Sequence, residues 1–199
     1  MNAESKAKQI FKAHGGQLRM SEALRVGISR WILYRMVDRG LVNRISRGVY
    51  RLAELPEPSN PDLVTVALRS PQAVICLVSA LWFHELTSQI PHEVWIAIPR
   101  DARPPDIKYP PIRWFEFSAK AFCSGINIHA VDNTEIRVYN PEKTIADCFK
   151  YRNKIGMDIV KEAVVHYMSR GDHDVSSLFR YAEICRVANV IRPYIETLA

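Results

Sequence analysis

Residues 21–52 read SEALRVGISRWILYRMVDRGLVNRISRGVYRL, and the caps, helical periodicity and turns in this stretch decide the fold of the N-terminal part. Ser21 is placed to cap a short helix, Glu22 to Arg25, that stops at Gly27. Ser29 is placed to cap another, Arg30 to Arg39, closed by Gly40. In that helix Ile32, Leu33, Met36 and Val37 share one face, which turns Trp31, Tyr34, Arg35 and Asp38 away from the core. Leu41 to Ile45 and Val49 to Leu52 then read as two short strands, joined through Ser46, Arg47 and Gly48. Upstream, Ala3 to His14 reads as a helix with Ile10 and Phe11 on its apolar side. It ends at Gly15 and Gly16, and an extended piece follows from Gln17 to Met20. Three helices followed by a basic hairpin make a winged helix-turn-helix.

Charge supports that reading. The 199 residues carry a net +6, but from Met1 to Ala53 eleven Lys or Arg face three acidic residues, a local +8. The remainder holds 16 basic and 18 acidic residues, a net −2. A basic module joined to a slightly acidic one is expected when one segment meets a polyanion and the other meets something else. The second helix of such a motif enters the major groove of double-stranded DNA, so Arg30, Trp31, Tyr34 and Arg35 are expected at base edges. Ser29 and the helix N-terminus are expected at a phosphate. Arg44 and Arg47 are expected to act as the wing, on phosphate or in the minor groove.

Leu55 to Pro61 holds three prolines with Ser59 and Asn60, poor material for helix or central strand. The expected organisation is therefore a DNA-binding domain over 1–54, a linker over 55–61 and a mixed domain over 62–199, an α+β chain overall. Asn60 and Pro61 open a helix running through Arg69. Strands are expected at Val74 to Leu77, Val94 to Ile98 and Ile112 to Phe117, with a helix from Ser79 to Leu86. A hairpin, Ile126 to Val131 with Ile136 to Tyr139, turns around Asp132 and Asn133. Helices follow at Pro141 to Tyr151, Asp158 to Met168, Val175 to Val187 and Ile191 to Leu198.

The most polar constellation of this domain gathers Glu142, Lys143, Thr144, Asp147, Arg152 and Asn153. Lys143, Asp147, Arg152 and Asn153 could form a partner-binding surface. Lys143 and Asp147 at i, i+4 equally describe an exposed ion pair or a structural network, and that reading is preferred. Trp95, Trp114, Phe115 and Phe117 alternate in expected strands and read as core.

Residues Gly27-Ile-Ser-Arg30, Leu33-Tyr34, Asp38-Arg-Gly40 and Ser46-Arg-Gly-Val-Tyr-Arg-Leu52 resemble the N-terminal domain of AbiEi-family antitoxins. Ser79-Ala-Leu81, His84-Glu-Leu-Thr87, Tyr139 through Lys143-Thr144 and Asp147, Tyr151-Arg-Asn153 with Gly156, and Arg192-Pro-Tyr194 extend the resemblance over nearly the whole chain. It implies the antitoxin half of a type IV toxin-antitoxin pair, from an abortive-infection system. The N-terminal domain would repress its own promoter at inverted repeats, and the C-terminal domain would oppose a cognate nucleotidyltransferase-like toxin.

Other classes find little support. The longest apolar stretch, Ala73 to Phe83, is too short to span a bilayer, and the polar start lacks a signal-peptide core, so a cytoplasmic location and no membrane partner are expected. Cys76, Cys123, Cys148 and Cys185 are scattered and read as reduced, mostly buried thiols. No histidine pair has metal-ligand spacing, so neither metal nor cofactor is expected. No GxSxG, P-loop or nuclease-type acidic strand motif occurs, and Ser79 with His84 lacks a third partner, so no catalytic residue is assigned. Two alternatives remain: a stand-alone regulator whose second domain dimerises or senses a ligand, and a DNA-acting nuclease.

Overall fold

The computed structural model describes residues 2–56, 59–132 and 134–198. Residues 57 and 58 of the expected linker, and Asn133 of the expected hairpin turn, lie outside them. The chain is a mixed α+β structure that divides into two compact units, one comprising Met1–Pro71 with Ala130–Ile136 and the other Gln72–His129 with Arg137–Ala199.

The first unit contains α1 (Ala3–Ala13), β1 (Gln17–Arg19), α2 (Met20–Arg25), α3 (Arg30–Asp38), β2 (Val42–Ser46), β3 (Val49–Leu52) and α4 (Pro61–Arg69). Its three strands run in the order β1-β3-β2, with β3 antiparallel to both neighbours and Leu18 opposite Tyr50. Phe11, Leu33 and Met36 are fully buried and pack with Leu18, Val42 and Leu52, so the helices close over one face of this sheet. Burying each such side chain contributes roughly 1.5 to 3 kcal/mol. The arrangement is compatible with a winged helix.

Two local readings change. Ser21 does not cap α2; the helix begins at Met20, two residues earlier than expected, and the Arg19 N–H donates to the Glu22 carboxylate at 3.0 Å. A carboxylate at the third helical position that accepts from the N-cap N–H is one half of a capping box. The expected boundary at residues 55–61 also differs from the division by compactness, because α4 belongs with the N-terminal unit. Its last turn is tied there: Arg19 Nη2 donates to the Ala67 carbonyl at 3.4 Å and Arg69 Nη1 to the Arg47 carbonyl at 2.6 Å.

The second unit is built on a five-stranded sheet in the order β6-β5-β4-β8-β7: β4 (Val74–Ile75), β5 (Val94–Pro99), β6 (Ile112–Phe117), β7 (Ile126–Val131) and β8 (Thr134–Tyr139), the last two counted with the first unit from Ala130 to Ile136. Strand β4 is antiparallel to β5 and parallel to β8, and β5 is parallel to β6. Helices α5 (Leu77–Phe83), α6 (Ala119–Cys123), α7 (Pro141–Lys150), α8 (Arg152–Ile155), α9 (Met157–Met168), α10 (Val175–Cys185) and α11 (Ala188–Leu198) complete it. Helix α7 is central: every residue from Lys143 to Phe149 is buried, so it is enclosed on all sides rather than amphipathic. Trp95, Phe115 and Phe117 lie in the core, whereas Trp114 is exposed on β6. No helix among the described residues is long and apolar enough to cross a membrane.

Candidate nucleic-acid interface

Helix α3 presents two surfaces. Its inner one buries Leu33 and Met36, with Ile32 and Val37 packed beside them. Its outer one leaves Trp31 64% and Tyr34 50% exposed, with the exposed Arg30 beside them. The helix start is set by Ser29, whose hydroxyl accepts from the Ile32 N–H at 3.3 Å. That bond occupies the hydroxyl locally, as an N-cap does. Two exposed aromatic side chains beside an arginine make this helix face a candidate contact surface.

Ion pairing sorts the basic residues of this unit into two groups. Arg35 is half-buried, pairs through Nε with Glu4 at 2.8 Å, and lies over the Trp31 ring at 5.0 Å. Arg39 reaches the other oxygen of Glu4 at 2.8 Å, and Lys8 and Lys12 share Glu54. By contrast Arg30, Arg44 and Arg47, like Lys6 and Arg25, make no side-chain ion pair among the described residues, and all five are exposed. The pairing changes the expectation for Arg35, which must leave Glu4 before it can read a base, while Arg30 needs no such release. Arg44 stands on β2 opposite Tyr50, whose phenol is pushed up by burial and by the adjacent Tyr34 hydroxyl. Arg47 sits in the β2–β3 turn beside Gly48, which adopts φ +77°; any other residue there would be strained.

Part of the polar constellation of the second unit is buried. Lys143 is 0% and Asp147 1% exposed, and Lys143 Nζ lies 2.5 Å from Asp147 Oδ2. The ammonium also sits over the rings of Tyr139 at 4.2 Å and Phe117 at 4.8 Å. The other Asp147 oxygen accepts from the Cys185 thiol at 3.1 Å. Burial pushes the Asp147 carboxyl up against the pull of Lys143, and burial beside that carboxylate pushes the Cys185 thiol up to about 12. Lys143 and Asp147 are thus a buried ion pair within a structural network, one of the two readings preferred from the sequence, and neither an exposed pair nor part of a partner-binding surface. The i, i+4 spacing holds, but α7 is packed on every side.

Arg152 instead donates to the Phe149 carbonyl at 2.8 Å, and Asn153 is exposed. Sequence reasoning missed the shell around the pair. Gly125 is part of it, since a Cβ there would fall 2.7 Å from Lys143 Cβ.

His84 on this unit is mostly buried and donates from Nε2 to the Tyr139 carbonyl at 2.7 Å. Burial lowers its pKa, with His129 and Arg170 adding to the effect. A histidine that resists protonation when folded lets the unfolded chain bind the proton first. Stability is therefore full above the ordinary value of about 6.5 and declines as pH falls below it. His84→Gln, which keeps a donor, is expected to flatten that acid limb in urea unfolding series; a limb as steep as wild type would assign it to other groups.

Residues 5–53 match the family described as "Transcriptional regulator, AbiEi antitoxin". The resemblance drawn from residues 27 to 52 is borne out by that match, which ends before the motifs of the second unit. No curated protein matches the chain. Among solved structures it is similar to the crystal structure of the RV2827C protein from Mycobacterium tuberculosis. The TM-score is 0.59 at 14% identity, over 91% of this chain and 71% of that one. At that identity the likeness is one of fold.

Proposed function

We propose that the chain is a winged-helix transcriptional regulator that binds double-stranded DNA through α3 and the β2–β3 wing, represses its own promoter at inverted repeats, and is the antitoxin of a type IV pair opposing a nucleotidyltransferase-like toxin in the cytoplasm. The observation that carries the DNA reading is the placement of the unpaired arginines. Arg30 heads the exposed aromatic face of α3, and Arg44 and Arg47 mark the wing, while Arg35, Arg39, Lys8 and Lys12 are engaged with Glu4 and Glu54. Uncompensated guanidiniums of this kind supply the counterion-releasing contacts that dominate affinity for a phosphate backbone. Trp31, Tyr34 and Arg30 are the base-edge readers, with Arg35 held in reserve by Glu4. Ser29 positions the start of α3. The family match over residues 5–53 supports the regulatory and antitoxin roles. No catalytic step and no cofactor form part of this reading.

A reporter driven by the region upstream of the chain's own gene tests the regulatory half. Expression should fall when the chain is supplied and return when Arg44→Gln and Arg47→Gln are combined; repression untouched by that pair would remove the wing from the interface. Co-expression with the neighbouring gene tests the antitoxin half: growth arrest by that gene alone, relieved by this chain, is the expected result, and arrest that persists would leave only the regulator.

A further inference from the structure

Trp31 follows Arg30 at the start of α3 and is 64% exposed, although Arg35, one turn along the helix, lies over its ring at 5.0 Å. That arginine is itself anchored. Its Nε pairs at 2.8 Å with Glu4 of α1, a carboxylate that is buried and also holds Arg39. A cation stacked on an indole and tied to a second helix steadies the ring in one orientation. Tyr34 is fixed differently, since its hydroxyl shares a hydrogen bond with Tyr50 on β3. Trp31 is therefore the largest apolar group that the outer face of α3 leaves in water, and leaving it there forgoes the gain from burying an aromatic ring. Its surroundings are cationic: Arg30, Arg44 and Arg47 are exposed, and residues 1–53 hold eleven basic against three acidic side chains. Charge complementarity makes the occupant of this face a polyanion that also offers an apolar group.

We infer that Trp31 reads the 5-methyl group of a thymine in the major groove. The inference rests on the DNA-binding reading above and deepens it by naming the base feature that the indole recognises. In that groove the four base pairs present hydrogen-bond donors, acceptors and one apolar group, the thymine methyl. The indole N–H is a single donor and cannot make the bidentate contact that distinguishes a purine, so the carbon surface of the ring carries the discrimination. Arg30 beside it suits a guanine, because its guanidinium can present two N–H groups to one base edge. The two neighbours thus read different chemistry from adjacent positions on one helix face.

The test titrates full-length wild type, Trp31→Ala and Trp31→Phe with the upstream duplex, with scrambled duplex, and with upstream duplexes in which each thymidine in turn is replaced by deoxyuridine. That replacement removes the methyl and leaves every hydrogen-bonding edge in place. Wild type should lose about fourfold in affinity at the thymine it reads, the worth of one buried carbon, and little elsewhere. Trp31→Ala should bind the upstream duplex more weakly than wild type and bind that deoxyuridine duplex no worse than the upstream one, while Trp31→Phe keeps part of the difference. Because the indole is neutral, the slope of log affinity against log salt should stay at the wild-type value in both variants. Wild-type preference for upstream over scrambled DNA combined with indifference to every deoxyuridine would overturn the thymine assignment and leave the DNA reading intact. A deoxyuridine penalty that persists in Trp31→Ala would overturn it too, by giving the methyl to another side chain. Equal binding of upstream and scrambled duplexes by wild type would remove sequence reading by α3, and the assignment with it.

Discussion

Lys143→Met is expected to lower the free energy of unfolding by about 3 to 5 kcal/mol, because it strands the Asp147 carboxylate in the core without its partner. The ammonium is enclosed by Asp147, Tyr139 and Phe117, and no water-exposed conformer is open to Asp147 at 1% exposure. The loss should depend on pH in a defined sense. The folded-state pKa of Asp147 is already raised by burial, and removing Lys143 takes away the main influence that lowers it. A carboxyl whose folded pKa exceeds its unfolded one is costly when ionised, so its penalty is present at neutral pH and shrinks as pH falls toward the raised value. Lys143→Met should therefore recover stability in mild acid relative to wild type. Pairing it with Asp147→Leu should restore most of the loss at neutral pH, since an apolar pair of similar volume avoids desolvating two charges. Urea midpoints over a pH series measure all three proteins; a loss under 1 kcal/mol that ignores pH would mean the pair is hydrated and not a core element.

The second large effect concerns recognition. Arg30→Ala is expected to weaken binding to the chain's upstream DNA by about 1 to 3 kcal/mol, roughly 5- to 150-fold, with a much smaller loss on scrambled DNA. The side chain stands at the first position of α3 and has no intramolecular partner among the described residues, so its removal leaves no stranded charge. Arg35→Ala is a different case. It frees Glu4, which keeps Arg39, and its effect should appear in stability before it appears in sequence preference. Competition titrations with single-base variants of the upstream site separate the two. A loss for Arg30→Ala that is equal on every sequence would assign it to phosphate rather than to a base edge.

Much of the first unit was legible in residues 21–52, because helix period, Ser29 and the glycines at 27, 40 and 48 each mark a boundary that chain-local physics enforces. Strand existence in the second unit was legible too, from short apolar runs. What stayed hidden depends on neighbours distant in sequence. The parallel pairing of β5 with β6 leaves no mark on either strand that differs from antiparallel pairing. Lys143 and Asp147 carry the same spacing whether a helix is exposed or enclosed, and only the packing of α7 decides which. Arg35 reads as outward by periodicity; its capture by Glu4 needs α1 beside α3, which no local pattern announces. The role of α4 was obscured by the prolines ahead of it, which marked a break in the chain at a place where the compact unit continues.

The most direct test of the central claim is titration of the purified full-length chain with its own upstream duplex and with a scrambled duplex of equal length, followed by fluorescence anisotropy over a salt series. The account predicts tight binding that prefers the upstream sequence, with affinity falling steeply as salt rises, by a slope of about −0.9 for each phosphate engaged. Equal, weak affinity for both duplexes, or binding indifferent to salt, would contradict it.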